Sequence, residues 1–152
     1  VLDASGERST LFRLEDGAVM AGDIQVAASG KDATGVYVTD AGTETTIGSG
    51  SILDISGDGA TGVFSTGGAK ATIESGASVT ITGSGATAGT VDGNTYDLDG
   101  TVAEEDTGAT LINAASISSS VADATAFTAK NSGTLENSGD VLLTGANSTA
   151  IK

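Results

Sequence analysis

Short apolar runs broken by Gly, Ser, Asp or Asn recur along the whole chain, and they recur in columns. Val26, Leu53, Val79, Ile117 and Val141 stand 27, 26, 38 and 24 residues apart, and Ala28, Ile55, Ile81, Ser119 and Leu143 follow them two places on. Thr34, Thr61, Thr87, Thr125 and Thr149 repeat the same series of steps. Each is preceded by a small residue and followed two places later by Val36, Val63, Gly89, Phe127 or Ile151. A third column, Thr46-Ile47, Thr72-Ile73, Thr110-Leu111 and Thr134-Leu135, steps by 26, 38 and 24. Chance similarity in a chain rich in small residues would produce one such column, not three sharing one irregular step, so the repeat is real.

Each repeat holds three β-like runs, for instance Ile52 to Ile55, Thr61 to Phe64 and Thr72-Ile73. Three short strands with polar turns close one rung in 24 to 27 residues, and equivalent strands of successive rungs then pair about 4.8 Å apart. Left-handed hexapeptide coils take about 18 residues per rung, and parallel connections are strongly right-handed. The expectation is an all-β, right-handed parallel β-helix of five to six rungs, one segment over residues 1–152, with Leu11 to Val19 adding a partial rung. Alternation turns Val26/Ala28, Leu53/Ile55, Val79/Ile81 and Val141/Leu143 inward, with Ile47, Ile73, Leu111 and Leu135. Ser119 marks a weaker rung.

Composition agrees with a thin core. Of 152 residues 38% are hydrophobic, yet 3% are aromatic and 23 are Gly, which suits short side chains stacked along an axis rather than one globular core. With 20 acidic against 6 basic residues the net charge is −14, so nucleic acids and anionic membranes are not expected partners. No run approaches the roughly 20 apolar residues that cross a bilayer, and no basic-then-apolar leader opens the chain. Val1 in place of an initiator Met makes the chain read as processed or cut from something larger. Cys and His are both absent, which removes thiol nucleophiles, Ser–His triads and zinc sites built on those ligands.

The long step predicts an excursion at about Asp92 to Asp106, carrying Asp92, Asp97, Asp99, Glu104, Glu105 and Asp106 without Lys or Arg. Its second half imitates a calcium loop: Asp97, Asp99 and Gly100 take the third, fifth and sixth places and Asp106 the twelfth, though Thr95 stands where the first Asp belongs. Lacking flanking helices, it reads first as a solvated acidic loop, with Asp97, Asp99 and Asp106 as a minor metal candidate. Adjacent carboxylates such as Asp97/Asp99 or Glu104/Glu105 do not make a glycosidase, which needs two carboxyls about 5–9 Å apart across a cleft. Catalysis and cofactors are not expected.

Tyr37 and Phe64 share one outward repeat position, continued by Thr90, Thr128 and Lys152, and form a candidate contact patch. Thr46 and Thr72, with Asn113 and Asn137, are expected on outward faces as weaker binding candidates; ordinary β-propensity is the plainer explanation of the threonines.

Rungs reading Gly50-Ser51-Ile52, Ala60-Thr61-Gly62-Val63 and Ala71-Thr72-Ile73-Glu74-Ser75-Gly76, without Cys, resemble the passenger domains of bacterial autotransporters over about residues 22 to 152. The resemblance implies a rod secreted through an outer-membrane β-barrel of the same precursor and displayed at the bacterial cell surface or released. It also implies adhesion or self-association, with itself or a host-surface protein or glycan as partner. A passive stalk presenting another domain and a carbohydrate-active β-helical enzyme are the alternatives. An ice-binding solenoid is more distant, because these rung lengths vary.

Overall fold

The computed structural model describes residues 1–152 as an all-β coil without helices. Each circuit lays one strand in each of three sheets. The first sheet stacks Leu2–Asp3, Gln25–Ala28, Ile52–Ile55, Ser78–Ile81, Ser116–Ser119 and Val141–Leu143. The second stacks Thr10–Leu14, Thr34–Val38, Thr61–Thr66, Thr87–Asp92, Thr125–Lys130 and Thr149–Ile151. The third stacks Val19–Gly22, Glu44–Ile47, Lys70–Ile73, Ala109–Asn113 and Gly133–Asn137. Neighbours within these sheets pair in parallel, so the fold is a parallel β-helix of about six turns, and the N-terminal stretch supplies a whole rung rather than part of one.

Register follows the inner columns. Val26, Leu53, Val79, Ile117 and Val141 pair in sequence, as do Thr34, Thr61, Thr87, Thr125 and Thr149. Their inward neighbours merge into one apolar column of 27 buried residues running along the axis. Small residues make it fit: a Cβ on Gly89 would lie 2.6 Å from Leu111 Cδ2 and 3.2 Å from the ring of Phe127, the largest fully buried side chain. Gly89 leaves the room that Phe127 fills one rung later.

The turn between the first two sheets explains the recurring Ser-Gly and Asp-Gly pairs. A Cβ on Gly30, Gly57 or Gly83 would come within 2.1, 2.0 or 2.1 Å of the carbonyl oxygen of the glycine one rung earlier, so close stacking of the turns requires glycine there. Two places on, Asp32, Gly59, Gly85, Asp123 and Asn147 all adopt left-handed backbone with φ between 54° and 69°, the region Gly, Asn and Asp tolerate best.

The third column departs from expectation. Thr46 pairs with Thr72 and Thr110 with Thr134, but Thr72 lies beside Ile112 and Ile73 beside Asn113. From Thr61 to Ala71 is 10 residues, while the equivalent path from Thr87 to Leu111 is 24. The following turn then shortens, from six residues between Ile73 and Val79 to four between Asn113 and Ile117. Lengthening and shortening nearly cancel, which disguises a two-residue shift.

That shift turns Asn113 inward. It is 0% exposed, and its Nδ2 donates to Ala115 O at 2.9 Å and to Asn137 Oδ1 at 2.8 Å, while Asn137 Nδ2 donates to Gly139 O at 3.0 Å. The expected outward pair is therefore a ladder on the core side. Asn113 Oδ1 finds no donor, because Ile73 stands in the preceding rung where a further Asn would reach it. Ser119 is likewise satisfied in the core: its Oγ donates to Ile81 O at 2.9 Å and accepts from Val121 N at 3.3 Å.

Candidate functional site

The outward column of the second sheet places Arg13, Tyr37, Phe64, Thr90 and Thr128 in register on successive rungs. With about 4.8 Å between rungs, flat side chains in one column stack almost inevitably. The Tyr37 and Phe64 rings lie 5.3 Å apart and 14° from parallel, and the Arg13 guanidinium sits 4.8 Å from the Tyr37 centroid. Arg13 Nε is held at 2.8 Å by Glu15, leaving its terminal nitrogens outward. Burial pushes the Tyr37 hydroxyl above its usual 10.0, and Arg13 pulls the other way.

The excursion begins beyond Asp92, not at it. Asp92 ends the strand Thr87–Asp92, in register with Thr66 and Lys130, and its side chain is fully buried. Lys130 Nζ lies 3.0 Å from Oδ2, the Tyr96 hydroxyl donates to Oδ2 at 2.5 Å, and Asn131 Nδ2 and Asn94 N donate to Oδ1 at 2.9 and 3.1 Å. Burial alone raises the carboxyl, yet these donors together outweigh it and hold Asp92 below its ordinary 3.8. Tyr96 shows the reciprocal effect: burial, then its bond to the carboxylate, pushes its hydroxyl up to about 12. The residue expected as one of several solvated acids is the buried anchor of the loop.

From that anchor the chain forms an antiparallel hairpin, Thr95–Tyr96 against Val102–Glu104. At its tip Gly100 N donates to Asp97 O at 2.9 Å, and Thr101 donates from N and Oγ1 to Asp99 Oδ1 at 2.9 and 2.7 Å. Those two bonds lower the Asp99 pKa although the side chain is in solvent. The stem is tied to neighbouring rungs by Gly67 N to Asn94 O at 2.9 Å and Thr107 Oγ1 to Gly93 O at 2.7 Å.

The calcium-loop reading does not survive this geometry. Asp97 and Asp99 spend their oxygens on the hairpin tip, Asp106 accepts from Ser132 Oγ at 3.0 Å at the other end, and no three carboxylates converge as a metal group.

Hairpin and aromatic column together enclose a cleft of about 370 Å³. One wall carries Arg13, Tyr37 and Phe64 with Thr10 and Thr34; the other carries Tyr96, Asp97, Leu98 and Gly100, and Lys130 closes the end. The hairpin leaves the fourth rung, so to line a space with Thr10 and Thr34 it leans back toward the N-terminal rungs. Tyr37 and Phe64 are thus brought into one site. Thr46 and Thr72 stay neighbours on the third sheet, apart from it, and Asn113 and Asn137 belong to the interior. A shallower depression of about 240 Å³ on the first sheet, among Thr80, Thr82, Ser118 and Ser120, offers hydroxyls and Leu142 only as an apolar neighbour.

Arg13, Tyr96, Leu98 and Lys130 were not among the expected site residues. Arg13 alone left a signal, since Thr10 and Arg13 stand 24 residues before Thr34 and Tyr37, the length of one rung. Compared with protein-family models, curated proteins and solved structures, the chain matches none.

Proposed function

We propose that this chain is a segment of a bacterial surface-displayed passenger, of the kind its rungs resemble, and that it acts in adhesion through the cleft beneath the hairpin. The observation that carries the reading is the placement of the aromatic side chains. A rod whose outer faces are otherwise mostly Thr, Ser and charged residues places both its tyrosines and one of its three phenylalanines around one recess. A passive stalk has no use for an anchored hairpin that roofs an aromatic column, and loops carried on a rigid scaffold are where binding is usually built.

The test is attachment of chain-coated beads to animal-cell monolayers. Wild-type chain is expected to attach, and Phe64→Ser with Leu98→Asp is expected to lower attachment about tenfold while circular dichroism stays that of the folded rod. Attachment unchanged in that variant would return the stalk as the better reading. Beads that clump with each other in rising salt, and ignore cells, would assign self-association instead.

A further inference from the structure

We infer that the cleft beneath the hairpin binds a short stretch of neutral saccharide, an inference that rests on the adhesion reading above and names its ligand class. Charge selects against the alternatives. The chain carries −14, and both cations of the cleft already have carboxylate partners, Arg13 with Glu15 at 2.8 Å and Lys130 with Asp92 at 3.0 Å. An anionic ligand approaches against the field of the whole rod and competes with carboxylates already in place. A cationic ligand meets Arg13 and Lys130 on the lining. An uncharged ligand incurs neither cost.

Hydrogen-bonding capacity then separates a saccharide from an apolar molecule. The terminal nitrogens of Arg13, the ammonium of Lys130 and the hydroxyls of Thr10 and Thr34 offer donors, and the Asp97 carboxylate offers acceptors, all around the same space. Covering such groups with an apolar ligand leaves them unpaired, at a cost in affinity for each. Vicinal hydroxyls, each both donor and acceptor, match the paired atoms of a guanidinium and a carboxylate. Leu98 and the aromatic rings supply the apolar surface that sugar C–H groups need. Both faces of Tyr37 are taken, by Arg13 and by Phe64, so a sugar packs against ring edges and the hairpin tip rather than stacking on Tyr37.

The experiment is an NMR titration of the full chain with three neutral probes, galactotriose, cellotriose and chitotriose, beside trigalacturonate and triglycine. At least one neutral trisaccharide is expected to shift the amides of Thr34, Tyr37, Leu98 and Gly100 at millimolar concentration. Arg13→Gln, an exposed substitution, is expected to weaken that binding about tenfold, and Leu98→Asp to weaken it with the backbone spectrum otherwise retained. Tighter binding of trigalacturonate, equal binding of triglycine, or shifts that map outside the cleft would overturn the inference. So would the absence of binding by every neutral probe at about 10 mM. If the beads still attach through the cleft in that last case, adhesion stands and only the saccharide falls.

Discussion

Ile55 sits between Ala28 and Ile81 in the first sheet's inner stack with 1% of its surface exposed, and Thr72 stands half-buried on the third sheet's outer side. A carboxylate at Ile55 has no donor within the apolar column and touches the rungs on both sides. Ile55→Asp is expected to cost about 4 kcal/mol or more, and Thr72→Asp about 1 kcal/mol or less. Equal denaturant midpoints for the two variants would contradict the inside/outside assignment. Such assignments were legible because alternation and the repeat agree at these positions. Asn113 was not legible: its place depends on a lengthened and then a shortened turn whose effects nearly cancel, leaving Thr110-Leu111 as an equally attractive match to Thr72-Ile73. Asp92 was misread for a related reason. Its partner Lys130 lies 38 residues away, and only the settled register across the excursion makes the two neighbours.

At the scale of elements, the excursion announced itself as a break in period, but its hairpin did not. Strands of two and three residues, mostly exposed and acidic, carry no alternation to read. The cleft inherits that blindness: Tyr37 and Phe64 were visible as a column, while the opposite wall comes from the hairpin. What holds the hairpin down makes a pH prediction. Asp92 lies below its ordinary 3.8, so the stability its ionisation adds is present above that value and is lost as pH falls through the lower folded pKa. Tyr96 is the opposite case: its protonated form is favoured in the fold, so its contribution is present below 10.0 and is lost as pH rises toward about 12. The hairpin amides Thr95, Tyr96 and Val102 are therefore expected to keep their shifts from mild acid to pH near 10.0 and to move between there and about 12. In a carboxyl NMR titration Asp92 is expected to titrate below 3.8, and Asn131→Ala is expected to raise its midpoint. An Asp92 midpoint at or above 3.8 would show that the anchor is open in solution.

The whole molecule joins a rod and an attachment with separate energetics. The rod's cohesion is nearest-neighbour stacking along one apolar column, which a side hairpin does not enter. The hairpin contributes instead the roof of the cleft, and its stem is narrow: the Thr95 and Thr107 hydroxyls are 3.1 Å apart, so a short glycine link can close it. The most direct measurement replaces residues 95–106 by such a link and follows hydrogen exchange of the rod alongside cell attachment of displayed chain. Protection in the inner columns is expected to persist, including Val79 and Ile117 on either side of the excursion, with attachment lost. Attachment that survives removal of the hairpin, in a rod that remains protected, would contradict the account.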